Sequence, residues 1–264
     1  MDGTLTVALA QVEGSTDPER NLETAHRYAE VAVQRGAHLL VFPEMFMGLP
    51  GSGRPPMHFV RQIGAEFFTQ LGAVAKAWGI AMAAGGWEAS PDPQLAYNTA
   101  VVLSPHGERL TTYRKLHLFD ALNVRESDTM RPGDSPPSVV SIRGLRVGVT
   151  VCYDLRFPEI FRYLADQEAE LVLVLSAWYQ GSFKEDHWLT LLRARAIENT
   201  FYVAGCNLIG SAFCGRSSVF DPFGVCVASA AEGEDCVVAN ISITRVQSVR
   251  KKLPCLENRR RDVW

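Results

Sequence analysis

The feature that most constrains the fold is a short apolar run that ends abruptly on a cysteine. Residues 148–151 are typical of a buried strand, Cys152 follows directly, and Pro158 suits the first position of a helix. A strand that turns sharply into a helix carries its corner residue above the sheet edge, beside backbone N–H groups that suit an anionic group. The alternative is that Cys152 is a small buried core residue, as most free cysteines are.

Apolar runs alternate with amphipathic stretches along the rest of the chain, a pattern that favours an α/β fold. We expect one domain over residues 1–264, with 246–264 as a C-terminal arm that either packs on its own chain or contacts another subunit. The predicted helices cover 18–36, 63–78, 158–165 and 186–200. The predicted strands cover 6–12, 39–42, 80–85, 98–103, 109–115, 138–142, 146–151, 171–175, 201–207, 217–220, 225–229 and 236–241.

The composition favours a small molecule as the binding partner. The 264 residues carry a net charge of −3, which offers no positive field for a nucleic acid or an anionic membrane surface. There is no apolar stretch of membrane-spanning length and no basic segment typical of a signal peptide, so a cytoplasmic location is expected. The six cysteines and six histidines show no metal-ligand spacing, so we predict neither a metal nor another cofactor.

Three reactive side chains follow predicted strands in a fixed order. Glu44 comes just after the run at 39–42, Lys115 closes a predicted hairpin, and Cys152 ends the run at 148–151. Together they would suffice for acyl transfer, because a thiol needs a base and the resulting oxyanion needs a cation or an N–H donor. We also expect the ammonium of Lys115 to lower the pKa of the Cys152 thiol.

With their surroundings, these residues resemble the nitrilase superfamily of carbon-nitrogen hydrolases over nearly the whole chain. The motifs that carry the resemblance are VALAQ at 7–11, FPE at 42–44, YRKLHLF at 113–119, the segment around Cys152, RARAIEN at 193–199 and DPFG at 221–224. The resemblance implies a four-layer αββα sandwich whose subunits commonly pair, hence a homodimer or higher homo-oligomer.

The resemblance also implies site roles. Glu44 corresponds to the general base, Lys115 to the oxyanion partner and Cys152 to the nucleophile. Glu126, in the long unpatterned segment 116–137, corresponds to a second glutamate that positions substrate and the other carboxylate, although a solvated loop residue is the alternative.

The resemblance implies that Tyr153 and Trp178 contact the substrate, and the position of Arg156 just after the nucleophile makes it a further candidate. Tyr153 would donate its backbone N–H, and Trp178 would line the pocket. Arg156 would either grip a substrate carboxylate or make a structural ion pair. Leu208 stands where many relatives carry a polar or basic residue, which predicts a less polar pocket wall at that point.

The resulting functional hypothesis is a cysteine-dependent amidase that converts a small carboxamide to a carboxylate and ammonia through a thioester. The motifs look closer to the branch that acts on ω-amides of keto acids or on deaminated glutathione than to nitrile-cleaving members. An N-carbamoyl amino-acid amidohydrolase and a nitrilase are the alternatives within the superfamily. A non-enzymatic binding protein that keeps the fold and a redox-sensing thiol are alternatives of other classes, the latter lacking a resolving cysteine near Cys152.

Overall fold

The structure is a computed structural model that describes residues 3–51 and 53–263. The helices are α1 (Pro18–Gln34), α2 (Pro56–Gln62), α3 (Gly64–Trp78), α4 (Pro158–Asp166), α5 (Lys184–Asn199) and α6 (Ile243–Lys252). The strands are β1 (Thr4–Gln11), β2 (Leu39–Val41), β3 (Ala81–Ala89), β4 (Ala96–Leu103), β5 (Arg109–Arg114), β6 (Asp120–Ala121), β7 (Val124–Arg125), β8 (Val139–Ile142), β9 (Leu145–Val151), β10 (Leu171–Ser176), β11 (Tyr202–Asn207), β12 (Ser218–Phe220), β13 (Cys226–Ser229) and β14 (Asp235–Ser242).

Two six-stranded sheets form the centre of the molecule. The first has the order β14-β1-β2-β3-β4-β5, and the second has the order β13-β12-β11-β10-β9-β8. In each sheet three central strands run parallel, β1–β2–β3 in one and β9–β10–β11 in the other, while the outer strands pair antiparallel. Parallel strands bring their carboxyl ends to the same edge, which is where ligands bind in α/β sheets.

Side chains of β1 alternate between two different cores, as the period of a strand requires. Leu5, Val7 and Leu9 belong to the core cluster shared with β9 and β10, whereas Ala8 and Ala10 belong to the cluster shared with α1 and α3. The first sheet therefore packs against the second sheet on one face and against helices on the other.

The second sheet has helices on its outer face as well. A Cβ placed on Gly148 of β9 would lie 2.8 Å from Leu164 of α4, and one placed on Gly205 of β11 would lie 2.6 Å from Trp188 of α5. These glycines thus allow α4 and α5 to approach the sheet closely. The predicted four-layer αββα sandwich is confirmed.

Most predicted elements are present with shifted ends, and two helices were missed. Helix α2 lies where no element was predicted, because its seven residues are too few to show a clear helical period. Most of helix α6 lies in the predicted C-terminal arm, for which no secondary structure was predicted, and only Val246 and Val249 are buried on it. The segment 116–137, predicted to lack regular structure, contains the small β6–β7 hairpin and a 3-10 turn at Glu126–Asp128.

The C-terminal segment contacts its own chain. Arg245 of α6 pairs with Asp221 at 2.6 Å, and Arg259 and Arg261 pair with Asp166 at 2.6 and 2.8 Å. Trp264, the last residue of the predicted arm, lies outside the described residues. The homodimer stays a prediction.

Two searches of the described residues bear on other classes of protein. No helix within residues 3–51 and 53–263 is both long and apolar enough to cross a membrane. Over the same ranges, no group of three or more His, Cys, Asp or Glu side chains is placed to hold a metal ion.

Candidate active site

Cys152 occupies the corner that the sequence predicted. Strand β9 ends at Val151, a 3-10 turn runs over Cys152–Arg156, and α4 begins at Pro158. The φ of Cys152 is +47°, in the left-handed region that non-glycine residues rarely adopt. Such backbone strain persists only where surrounding contacts hold it, and it is typical of nucleophile turns.

The carboxylate of Asp154 fixes that turn through hydrogen bonds. Its carboxylate is fully buried and accepts hydrogen bonds from the backbone N–H of Val151 at 3.0 Å and the hydroxyl of Tyr113 at 2.8 Å. It also accepts from the backbone N–H of His117 at 3.1 Å and lies 2.8 Å from Nδ1 of that residue. Burial and the charge of Asp154 raise the pKa of Tyr113, so this hydroxyl stays a donor. The turn that carries Cys152 is therefore fixed to the segment that follows β5.

Glu44 lies just beyond the end of β2 with its carboxylate wholly enclosed. Oε1 accepts from Nζ of Lys115 at 2.9 Å and from Nδ2 of Asn98 at 2.7 Å, and Oε2 accepts from the backbone N–H of Ala177 at 2.8 Å. Three donors from three elements fix the orientation of the carboxylate and partly replace the water lost on burial.

Lys115 directly follows β5, which ends one residue earlier than predicted. Its ammonium touches Glu44 and both oxygens of Glu126, the latter at 2.9 and 2.8 Å. Burial favours the neutral amine, but the two carboxylates outweigh it and hold the pKa of Lys115 well above its ordinary value. Lys115 is therefore a cation shared between two buried carboxylates.

Glu126 is 8% exposed, so the alternative of a solvated loop residue is wrong. Besides Lys115, its Oε2 accepts the backbone N–H of Phe119 at 2.7 Å, a contact made within the segment 116–137. Burial raises the pKa of Glu126, Lys115 lowers it and Glu44 raises it again, with a net rise. The negative charge of the cluster exceeds its positive charge by one, which favours uptake of a proton.

The pKa of the Cys152 thiol is raised, which corrects the expectation from the sequence. Desolvation and the charge of Glu44 raise it, and the lowering effect of Lys115 does not overcome them. The charge of Lys115 is largely compensated by the two carboxylates that contact it, so it stabilises a Cys152 thiolate only weakly. The sequence did not reveal these contacts. The thiol is thus neutral at rest, and it must lose its proton as it reacts.

A pocket of about 340 Å³, including the space at its open mouth, joins these groups. Its lining includes Glu44, Glu126 and Cys152 as well as the three residues predicted to contact substrate, Tyr153, Arg156 and Trp178. Phe119, Tyr153 and Tyr179 give it an aromatic wall, with the Phe119 and Tyr153 rings 4.9 Å apart. A small organic molecule fits such a site.

Sequence reasoning missed Asn98 and Lys184. Asn98 is a polar residue in the wholly buried strand β4. Because buried polar side chains are hydrogen-bonded, its position in an apolar run could have indicated a buried polar partner. Lys184 fell outside the predicted helix, which was expected to begin at Asp186. Leu208 does not line the pocket; it is buried in the core cluster with Val12 and Phe42, so the expected change of pocket wall is wrong.

The chain belongs to the carbon-nitrogen hydrolase family. The model of that family matches residues 6–251. The deaminated glutathione amidase of Synechocystis sp. is 34% identical over an alignment that covers 96% of this chain and 97% of that protein. The chain is therefore a hydrolase that acts on carbon-nitrogen bonds other than peptide bonds, and the non-enzymatic alternative is wrong.

Solved structures agree with this assignment. The NitFhit protein of C. elegans superposes with a TM-score of 0.92 at 29% identity, covering 99% of this chain and 66% of that one. A mutant of the amidase from Nesterenkonia sp. AN1 superposes with a TM-score of 0.83 at 29% identity, covering 100% of this chain and 97% of that one. That mutant shows covalent addition of the acetamide moiety of fluoroacetamide at its active-site cysteine.

Proposed function

We propose that the chain is an amidase that hydrolyses a small carboxamide to a carboxylate and ammonia through a thioester on Cys152. The observation that carries the proposal is that Cys152, Glu44 and Glu126 line one pocket, while the ammonium of Lys115 forms ion pairs with both glutamates. The Nesterenkonia amidase, modified on its own active-site cysteine, supports the assignment of the nucleophile.

In the first half-reaction, Sγ of Cys152 bonds to the amide carbon while its proton passes to Glu44. The carbonyl oxygen becomes an oxyanion, which Lys115 and the backbone N–H of Tyr153 stabilise. The carbon-nitrogen bond then breaks, Glu44 returns the proton to the departing nitrogen, and ammonia leaves. A base is indispensable here because the thiol begins neutral.

In the second half-reaction, water attacks the thioester. Glu44 accepts a proton from that water, the carbon-sulfur bond breaks, and the proton returns to the sulfur of Cys152. The product leaves as the carboxylic acid, which releases its remaining proton to the solvent to give the carboxylate. One carboxylate thus serves as acid and base in turn, which its three fixed donors allow without any change of rotamer.

An N-carbamoyl amino-acid amidohydrolase is the second candidate. It is favoured by Arg156, which lines the pocket and has no carboxylate partner within salt-bridge distance in the described part of the chain. An arginine in that state suits the carboxylate of a carbamoylated amino acid. The chemistry at Cys152 would be the same.

The test uses Glu44→Gln, which keeps the shape of the side chain and removes the base. Acylation should be slow and deacylation slower, so intact-protein mass spectrometry with a small aliphatic amide should show one added acyl group. Peptide mapping should place the adduct on Cys152, and Cys152→Ala should show none. The control is Glu66→Gln, an exposed glutamate on α3, which should turn over without accumulation. An adduct on Cys206 or Cys214 would overturn the proposal.

A further inference from the structure

Ser176 is a fully buried serine whose hydroxyl group has no ordinary partner. It is the last residue of β10, and its Oγ makes no hydrogen bond of normal geometry with any group of residues 3–51 and 53–263. Its backbone carbonyl is already used, because it accepts the N–H of Leu208 at 3.1 Å. Buried hydroxyls normally find an acceptor, as Thr150 on the neighbouring strand does by donating to the carbonyl of Leu173 at 3.3 Å. The exception at Ser176 therefore needs an explanation.

The register of the second sheet places Ser176 beside the nucleophile. Leu175 of β10 pairs with Val151 of β9. The residues that follow them, Ser176 and Cys152, are therefore neighbours at the carboxyl edge of the sheet. The backbone N–H of the residue after Ser176 donates to Oε2 of Glu44 at 2.8 Å. The end of one strand thus contacts the base and adjoins the nucleophile.

The hydroxyl of Ser176 is placed to act on the sulfur of Cys152 and not on the substrate. Ser176 is wholly buried, and it is not one of the described residues that line the pocket. Desolvation has the largest effect on the pKa of the Cys152 thiol and raises it, whereas hydrogen bonding to Ser176 lowers it. With the thiol neutral, this contact falls short of an ordinary hydrogen bond. It gains strength as the sulfur becomes charged.

We propose that the Ser176 hydroxyl donates a hydrogen bond to Sγ of Cys152 whenever the sulfur carries negative charge. The inference rests on the proposed amidase function and adds a catalytic residue to it. Ser176 transfers no proton: the proton of the thiol still passes to Glu44, and the hydroxyl stabilises the charge left on the sulfur. The same hydrogen bond acts again when the carbon-sulfur bond of the thioester breaks and the sulfur leaves with the electron pair.

The first experiment measures alkylation of Cys152 by iodoacetamide, a reaction that needs no amide hydrolysis. Ser176→Ala should raise the pKa of the thiol by about 1, which corresponds to the lower end of the range for a hydrogen bond to a charged group. A thiolate of higher pKa is also more nucleophilic, with a Brønsted slope of about 0.4–0.5, so the alkylation rate at about pH 8 should fall about 3-fold. Peptide mapping restricts the measurement to Cys152, because the chain has five other free cysteines.

The second experiment compares turnover with stability. With propionamide as substrate, Ser176→Ala should lower kcat about 3- to 10-fold and leave KM close to that of the parent, because the hydroxyl contacts the sulfur and not the substrate. The urea midpoint of unfolding should equal that of the parent, since the hydroxyl has no ordinary partner to lose among the described residues. A merely structural serine would show the opposite pattern.

The matched control is Ser218→Ala. Ser218 is also fully buried, but its Oγ lies 2.8 Å from the carbonyl oxygen of Arg216 and 2.9 Å from Oγ of Ser229. Loss of these hydrogen bonds should lower the urea midpoint and leave both kcat and the alkylation rate of Cys152 unchanged.

A second pair of variants isolates the hydroxyl if Ser176→Ala does not fold. Ser176→Thr and Ser176→Val have nearly the same shape, and the hydroxyl is the group that distinguishes them. The threonine variant should alkylate and turn over faster than the valine variant by the factors given above for the loss of the hydroxyl.

Parental alkylation of Cys152 in a folded Ser176→Ala variant would overturn the inference, whatever happens to kcat. Equal rates in the threonine and valine variants would overturn it as well. Neither result would touch the amidase proposal, which fails instead if the parent hydrolyses no amide. In that case the alkylation rates would still decide whether Ser176 bonds to the sulfur.

Discussion

Replacing Lys115 by methionine should destabilise the protein strongly and in a manner that depends on pH. Methionine matches the lysine side chain as far as Cε and keeps most of its packing, so the change mainly removes the ammonium. Glu44 and Glu126 would then face each other in a buried site without a cation, where now each lies within 2.9 Å of the same nitrogen. Two like charges in such a site cannot both remain ionised without a large cost.

The magnitude follows from the contacts. Two pairs of unit charges near 2.9 Å, at an effective dielectric constant of about 20, attract by about 6 kcal/mol each before desolvation is subtracted. Desolvation and the repulsion between the carboxylates cancel much of this, and removing one partner of a buried pair costs about 3–5 kcal/mol in practice. We expect a loss of that size in the free energy of unfolding at about pH 7.5.

The sign of the pH dependence distinguishes this cause from a packing defect. Without Lys115 the folded-state pKa of at least one carboxylate rises above its unfolded value, about 4.3 for glutamate. The folded variant then binds more protons than its unfolded chain, so its stability falls as the pH rises through the raised pKa and recovers on acidification. The deficit relative to the parent should therefore shrink between about pH 7.5 and pH 5.

The assay is urea unfolding followed by circular dichroism at both pH values, with Lys76→Met as the exposed control. The control should match the parent at each pH. The loss of a buried ion-pair partner predicts a fall of about 3–5 kcal/mol in the free energy of unfolding of Lys115→Met at the higher pH. A fall under about 1 kcal/mol would refute the reasoning. A large deficit that does not change with pH would indicate lost packing instead.

Two further substitutions test the backbone around the site. Gly85→Ala should cost about 1–3 kcal/mol of stability and reduce kcat/KM, because the new Cβ would lie 2.6 Å from Cα of Glu44. The control in thermal unfolding and activity assays is Gly233→Ala, whose new Cβ would meet no atom within 4 Å. Asp154→Asn should cost about 1–3 kcal/mol and lower kcat more than it raises KM, because an amide nitrogen would face donors that now bond to a carboxylate. Parental stability in Gly85→Ala, or parental kcat in Asp154→Asn, would contradict the corresponding claim.

The corner at Cys152 could be predicted because its signals are local. A strand run, a cysteine and a proline at fixed spacing leave few ways to fold, and the structure adds only the 3-10 turn between strand and helix. The apolar run at 6–12 likewise predicted β1, though the partner of each face of that strand was unknown until the two sheets were seen together.

The contacts of Glu44 could not be predicted in the same way. Its donors come from Asn98, Lys115 and Ala177, which are 54, 71 and 133 residues away along the chain. Their meeting depends on the register of β4 and on the packing of one sheet against the other, neither of which a single sequence displays. The raised pKa of Cys152 was missed for the same reason, since it reflects the sum of contacts around the pocket.

The raised thiol pKa and the excess negative charge beneath the pocket belong to one arrangement. A thiolate already present at rest would have no proton for the base to remove, but it would react readily with oxidants and alkylating agents. In the proposed reaction the proton leaves Cys152 only when a carbonyl carbon is in place, and it enters a cluster in which Lys115 compensates one of two carboxylates. Glu126 raises the proton affinity of that cluster by its charge. Its contribution to turnover therefore includes electrostatics, even where it makes no contact with substrate.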